Sequence, residues 1–108
     1  ENNPNAKLLR IFIGESDKIG FEMLYETIVF EAKKNGFLVA TITRGIMGFG
    51  QTENLYRKIA EISFDLPIII EIVDDEEKIR TFTKIVGQLF EEAKSGGLIT
   101  IKKAEVIR

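Results

Sequence analysis

A two-layer α+β sandwich with the order β-α-β-β-α-β is predicted by three observations. Two segments, one within residues 21–35 and one running from Asp74 to a Ser95-Gly96-Gly97 stop, repeat apolar residues at three- and four-residue spacing. Short β-branched runs flank both segments. The chain has 108 residues, the length of one domain, and can bury about 65% of its unfolded surface.

Residues 1–6, ENNPNA, are polar and read as a disordered leader to a single domain over 7–108, with no signal peptide visible. Leu8-Leu9-Arg10-Ile11-Phe12-Ile13 is an apolar run closed by Gly14, a first strand. Residues 15–20 read as a loop. The period then changes. Phe21, Leu24, Tyr25, Ile28 and Ala32 share one helical face, and Asn35-Gly36 supplies the stop. Residues 38–43, LVATIT, form the second strand. A polar segment follows over 52–65, with a short helix around Leu55, Tyr56, Ile59 and Ile62. Leu66-Pro67 introduces Ile68-Ile69-Ile70-Glu71-Ile72-Val73, and Pro67 at the first strand position removes only a terminal donor. Asp74 is placed to cap the second helix while Glu77 reaches back, and the acidic cluster suits the positive helix end. Its buried stripe is Ile79, Phe82, Val86, Leu89, Phe90 and Ala93. Residues 98–107 form the last strand. The order and size give a ferredoxin-like arrangement of four antiparallel strands with two helices on one face.

Composition removes several function classes. The net charge is −2, which argues against a nucleic-acid binder, since such a protein gains affinity by releasing counterions from phosphates. No apolar run approaches the ~20 residues that cross a bilayer. Cys and His are both absent, so disulfides, Cys/His zinc sites, thiolate nucleophiles and Ser-His-Asp chemistry are all excluded. Acid–base work would fall to Asp, Glu, Lys or Tyr. Carboxylates are abundant, but none marks a metal site. A cytoplasmic location fits this composition.

One face of the sheet carries more apolar residues than solvent exposure explains. If Ile11 and Ile13 face the helices, Leu8 and Phe12 face away; if Ile68, Ile70 and Ile72 face them, Ile69 and Val73 do not. Val39 joins that outer set. A contiguous apolar patch marks an interface, so the open face is expected to pack on another subunit or to be covered by residues 52–65. Met23 and Phe30, seven residues apart opposite the first helix's core stripe, form a smaller candidate contact.

The segment Arg44-Gly45-Ile46-Met47-Gly48-Phe49-Gly50-Gln51 is the main functional candidate. Glycines permit close backbone approach, and successive amides in such a loop can hold an anion. The pattern is neither the dinucleotide G-x-G-x-x-G nor a P-loop, which needs Lys-Ser/Thr. Taken alone, it favours a structural corner over a ligand site.

LRIFIGESDK, RGIMGFG and DLPIIIEIVDDEEKI together resemble a widespread family of PII-like proteins of unknown function, over nearly the whole chain from Lys7 to Arg108. More distantly the chain resembles the PII nitrogen-regulatory proteins. That resemblance implies a homotrimer binding ATP or ADP in clefts between subunits, with a long loop reaching a partner protein. It places ligand-binding roles on Thr41, on Gly48-Phe49-Gly50-Gln51, on Gly96 and Gly97, and on Arg108. It places the partner-binding loop over 51–65, with Tyr56 near a modification position.

The departures weaken the phosphate end. PII has an Arg after its Gly-Phe-Gly, an Asp and a Lys beside its second glycine pair, and a further Arg after the terminal Val-Ile-Arg. Here these are absent. Each lost charge-assisted contact is worth roughly 1.5–3 kcal/mol. The resemblance therefore points to a smaller ligand, a monophosphate such as AMP or a cyclic nucleotide, more than to a triphosphate, with Arg10, Arg44 or Lys102 as replacement cations. Two other functions stay open. One is a structural or protein-interaction trimer without a small ligand. The other is an acylphosphatase-like enzyme, disfavoured because Gly14-Glu15-Ser16-Asp17-Lys18 has no Arg.

Overall fold

The computed structural model describes residues 3–49 and 65–108. Its elements are β1 (Ala6–Gly14), β2 (Lys18–Ile19), β3 (Glu22–Met23), α1 (Leu24–Lys34), β4 (Thr41–Arg44), β5 (Pro67–Asp75), α2 (Glu76–Ala93) and β6 (Leu98–Lys103). Four strands form one antiparallel sheet in the order β4-β5-β1-β6, the expected ferredoxin-like arrangement. β2 and β3 form a separate small hairpin.

The register turns the period-two pattern into two layers. Leu9, Ile11 and Ile13 of β1 lie beside Ile72, Ile70 and Ile68 of β5, and all are buried. Onto this face pack Leu24, Ile28 and Ala32 of α1 and Ile79, Phe82 and Val86 of α2. Phe37 closes one end of the core edge-on to Phe82, ring centroids 5.1 Å apart. Burying side chains of this size stabilises by about 1.5–3 kcal/mol each, so the two isoleucine-rich strands carry much of the fold.

Both helices stop through 6→1 and 5→2 backbone bonds. In α1, Phe37 N–H donates to Ala32 O and Gly36 N–H to Lys33 O, with Gly36 at φ +84°. In α2, Ser95 N–H donates to Phe90 O and Lys94 N–H to Glu91 O. The left-handed residue there is Lys94, at φ 54°, not one of the glycines that follow.

Several boundaries differ from the sequence expectation. α1 begins at Leu24, and Phe21, expected on its core face, stands fully exposed in the Gly20-Phe21 turn of the β2–β3 hairpin. Gly20 at φ +63° makes this a II′ turn, which joins strands more readily than a helix start does. The second strand begins at Thr41, leaving Leu38 and Val39 exposed outside it. The cap of α2 is Asp75, whose Oδ2 accepts from Glu77 N–H at 3.2 Å; Asp74 instead holds Asp75 N–H and sits 3.6 Å from Lys78. β6 ends at Lys103, short of residue 107. At the N-terminus, Ala6 is buried in β1, and Asn5 O accepts from Glu76 N–H. The short helix expected around residues 55–62 lies outside the described residues.

Candidate functional site

Both glycine segments sit at the same end of the sheet. There β1 and β4 finish, and β5 and β6 start. Gly45 continues the ladder by donating its N–H to Pro67 O at 2.7 Å. The chain then folds over Pro67: a Cβ on Gly45 would lie 2.6 Å from Pro67 Cγ, and one on Gly48 would lie 3.0 Å from it. Neither position has room for a side chain without displacing the ring. These two glycines therefore have a packing reason that needs no ligand. The residues between and after them, Ile46, Met47 and Phe49, project outward and are at least four-fifths exposed.

The second segment is tied to the loop after β1. Ser95 Oγ donates to Asp17 Oδ2 at 2.9 Å and accepts from Gly97 N–H. Asp17 also accepts from Gly14 N–H. A Cβ on Gly97 would lie 2.6 Å from Phe12 O and 2.9 Å from Phe90 Cε2, so the loop enters β6 through a slot that fits only glycine. The other flank of the loop is held by the two residues just before β5: Ser16 N–H donates to Asp65 Oδ1 at 2.8 Å and Glu15 N–H to Leu66 O.

Among the described residues the charge of this end is mostly negative and already engaged. Arg44 Nη2 lies 2.6 Å from Glu15 Oε2, while Asp17 and Asp65 spend oxygens on backbone N–H groups and Ser95. An anion arriving here meets an arginine with a carboxylate on it. Among the described residues no group of acidic side chains is arranged to hold a metal ion.

The remaining candidates are dispersed. Thr41 is exposed at the start of β4, opposite Glu71 and about 10 Å of strand from Arg44. Thr43 shares its face and is nearer the glycines. β6 carries the chain from Gly97 to the far end of the sheet, and Arg108 lies exposed beyond it. Gly50, Gln51, Tyr56 and nearly all of the 51–65 loop lie outside the described residues. The Glu15–Arg44 pair and the Asp17–Ser95 tie were not legible beforehand, because neither pairing has a sequence spacing that signals it. A hollow of about 450 Å³ lined by Phe37, Lys78, Thr81 and Phe82 opens at the opposite end of the sheet. Lys78 already fills its polar needs there, with Nζ 2.8 Å from Gly36 O and 4.7 Å from the Phe37 ring centre.

One geometric fact orders these observations. The Arg44–Phe49 segment leaves the β4 edge and the Ser95–Gly97 segment enters the β6 edge, with β5 and β1 between them. At ~4.8 Å per strand the two edges stand about 14 Å apart.

Solved structures share this architecture. CPII from Thiomonas intermedia K12, bound to ADP, AMP and acetate, aligns with a TM-score of 0.69 at 19% identity over 95% of this chain and 89% of that one. A second structure of CPII, described as a nitrogen regulatory PII-like protein bound to ADP, AMP and bicarbonate, aligns at 0.67 and 18%, over 95% and 93%. A phage SAM lyase in complex with S-methyl-5'-thioadenosine aligns at 0.53 and 17%, over 95% and 84%. These likenesses establish a PII-like fold. In sequence, a UPF0166 protein of Methanocaldococcus jannaschii is 37% identical over 95% of this chain and 93% of its own length. A UPF0166 protein of Aquifex aeolicus is 36% identical over 94% and 92%. Residues 6–106 match the model of the DUF190 family, described as Uncharacterized ACR, COG1993. With that match spanning nearly all of the PII-like fold, the chain belongs to the DUF190/UPF0166 family.

Proposed function

We propose that the chain is one subunit of a PII-like homotrimer that binds a small adenine nucleotide between subunits and acts on a partner protein without catalysing a reaction. The observation that carries this reading is the separation of the two glycine segments. They share one end of the sheet but occupy its opposite edges, about 14 Å apart by strand spacing. In a ring of copies, the β4 edge of one subunit meets the β6 edge of the next. Gly48, Phe49, Gly50 and Gln51 of one chain and Gly96 and Gly97 of its neighbour then form the two walls of one cleft, with Thr41 and Arg108 assigned to it by the PII resemblance. The ADP and AMP bound to CPII support the choice of ligand class. The carboxylates of Glu15, Asp17 and Asp65 disfavour a triphosphate and favour ADP or AMP. The exposed Ile46, Met47 and Phe49 open the 51–65 segment proposed for partner contact. A cytoplasmic site of action belongs to the same reading. No helix among the described residues is long and apolar enough to cross a membrane.

A second reading is favoured by a specific observation. Pro67 accounts for Gly45 and Gly48 by packing alone, as expected of a protein-interaction trimer with no small ligand. Titration calorimetry against ATP, ADP, AMP and cyclic AMP, with solution mass measured in parallel, separates the two. Binding of ADP or AMP by an assembled protein supports the nucleotide reading. An assembled, folded protein that binds none of the four supports the interaction trimer.

A further inference from the structure

The two walls of the proposed cleft offer a ligand different chemistry. Ser95-Gly96-Gly97 follows directly on the C-terminal end of α2, an 18-residue helix with no basic residue in its last turn. That is the negative end of a helix, and it disfavours a phosphate. Lys94, the C-cap, offsets the helix end with its own charge. The amides of the segment are largely spent. Lys94 N–H donates to Glu91 O, Ser95 N–H to Phe90 O and Gly97 N–H to Ser95 Oγ, so among the described residues only Gly96 N–H is unclaimed. A phosphate cradle needs successive free amides.

Asp17 gives this wall a fixed acceptor. Its Oδ2 accepts from Gly14 N–H at 3.2 Å and from Ser95 Oγ at 2.9 Å, and its main-chain O accepts from Leu24 N–H at 2.8 Å. The carboxylate is thereby pinned to the loop after β1 and to the glycine segment together. It is half-buried, and among the described residues its second oxygen, Oδ1, meets no donor. This wall calls for a ligand that brings hydrogen-bond donors. The other wall has the cation: Arg44 ends β4 where the first glycine segment begins, with its side chain 54% exposed. An adenine nucleotide fits the two walls in one orientation. Its ribose carries two neighbouring hydroxyl donors, and its phosphates carry the negative charge. A carboxylate binds such hydroxyls well, as the acidic residue of dinucleotide-binding folds does.

We infer that Asp17 reads the ribose: its carboxylate accepts from the 2′- and 3′-hydroxyls of the nucleotide, Ser95 holds it in place, and the phosphates point across the cleft toward Arg44 of the neighbouring chain. This rests on the proposed nucleotide cleft. It reverses the phosphate-binding role that the PII resemblance gives to the second glycine pair, and it makes Asp17 the residue that selects a ribonucleotide.

The test is calorimetry of the assembled protein with ADP, 2′-deoxy-ADP and 3′-deoxy-ADP. Wild type is expected to bind ADP about tenfold more tightly than either deoxy analogue, the worth of one hydrogen bond to a charged acceptor. Asp17→Asn keeps an oxygen for Gly14 and Ser95 but loses the charge, and it is expected to bind ADP more weakly and to lose that preference. A merely structural role for Asp17 would weaken all three ligands alike. Should Asp17→Asn fail to fold by circular dichroism, Ser95→Ala serves instead. It is expected to cut the hydroxyl preference several-fold and leave the ratio of ADP to AMP affinity unchanged. A phosphate cradle predicts the opposite, because Ser95→Ala uncaps Gly97 N–H. Equal binding of ADP and its deoxy analogues by wild type overturns the inference, as does a preference that survives in Asp17→Asn. Tighter ADP binding by Asp17→Asn would also overturn it and would put the phosphates on this wall, beside Lys94. All three of those results leave the nucleotide cleft standing. An assembled wild type that binds none of these nucleotides overturns both.

Discussion

Replacing Gly97 by Ala tests the tightest backbone approach in the described structure of this fold. The new methyl carbon would lie 2.6 Å from Phe12 O, 2.8 Å from Ile13 Cγ2 and 2.9 Å from Phe90 Cε2. The carbonyl belongs to the central strand and is fixed by the ladder to β5 and β6, so it cannot move aside. Overpacking of this kind costs about 1–3 kcal/mol, and the backbone contact places Gly97→Ala near the upper half, about 2 kcal/mol. For a chain of this size the urea midpoint should fall by roughly 1 M and Tm by about 8 °C, compared at one protein concentration because assembly also stabilises. Gly87→Ala is the internal control. It lies inside α2 with no atom within 4 Å of its Cβ position, so the same substitution should stabilise by about 0.5–1 kcal/mol. A Gly97→Ala protein as stable as wild type would refute the argument that packing demands this glycine. It would return the residue to a ligand role alone.

Three further outcomes follow from single sites. Lys94 holds the left-handed position that closes α2, so Lys94→Gly should stabilise by about 1 kcal/mol in thermal unfolding. Glu15 neutralises Arg44 at the candidate site, so Glu15→Gln should tighten ADP or AMP binding several-fold by calorimetry; weaker binding would mean that Glu15 holds Arg44 in place for the ligand. The hydrogen bond from Arg80 and the charge of Lys7 hold the Glu76 carboxyl below its usual value of 4.5. A lowered folded-state pKa stabilises above the unfolded value, and that stability is lost as pH falls through the folded value. The Tm difference between wild type and Glu76→Gln should therefore shrink below pH 4.5, and NMR titration of Glu76 should show the lowered midpoint.

The sheet and its two layers were legible because their signal is periodic and local. Alternating isoleucines in 68–72 and the helical stripe of Ile79, Phe82 and Val86 each name their own buried face. Phe21 misled because it falls in phase with Leu24 and Ile28, while Gly20 before it makes a hairpin turn the more favourable start. Leu38 and Val39 have strand propensity, but among the described residues no strand pairs with them. The candidate site was harder to read. Its glycines stood out in sequence, but the reason for two of them is Pro67, about twenty residues on and set against them only by the β4–β5 register. The ion pair of Arg10 with Glu71, 61 positions apart, exists only once β1 has paired with β5.

The central claim is a nucleotide site that needs two copies of the chain. The direct measurement is ADP binding by calorimetry at protein concentrations spanning dissociation of the assembly, with mass followed by sedimentation at each. The account predicts one ADP per chain in the assembled protein and loss of binding as chains separate. A single chain that binds ADP as tightly as the assembly would contradict it, because the β4 and β6 edges would then not need to meet across a subunit boundary.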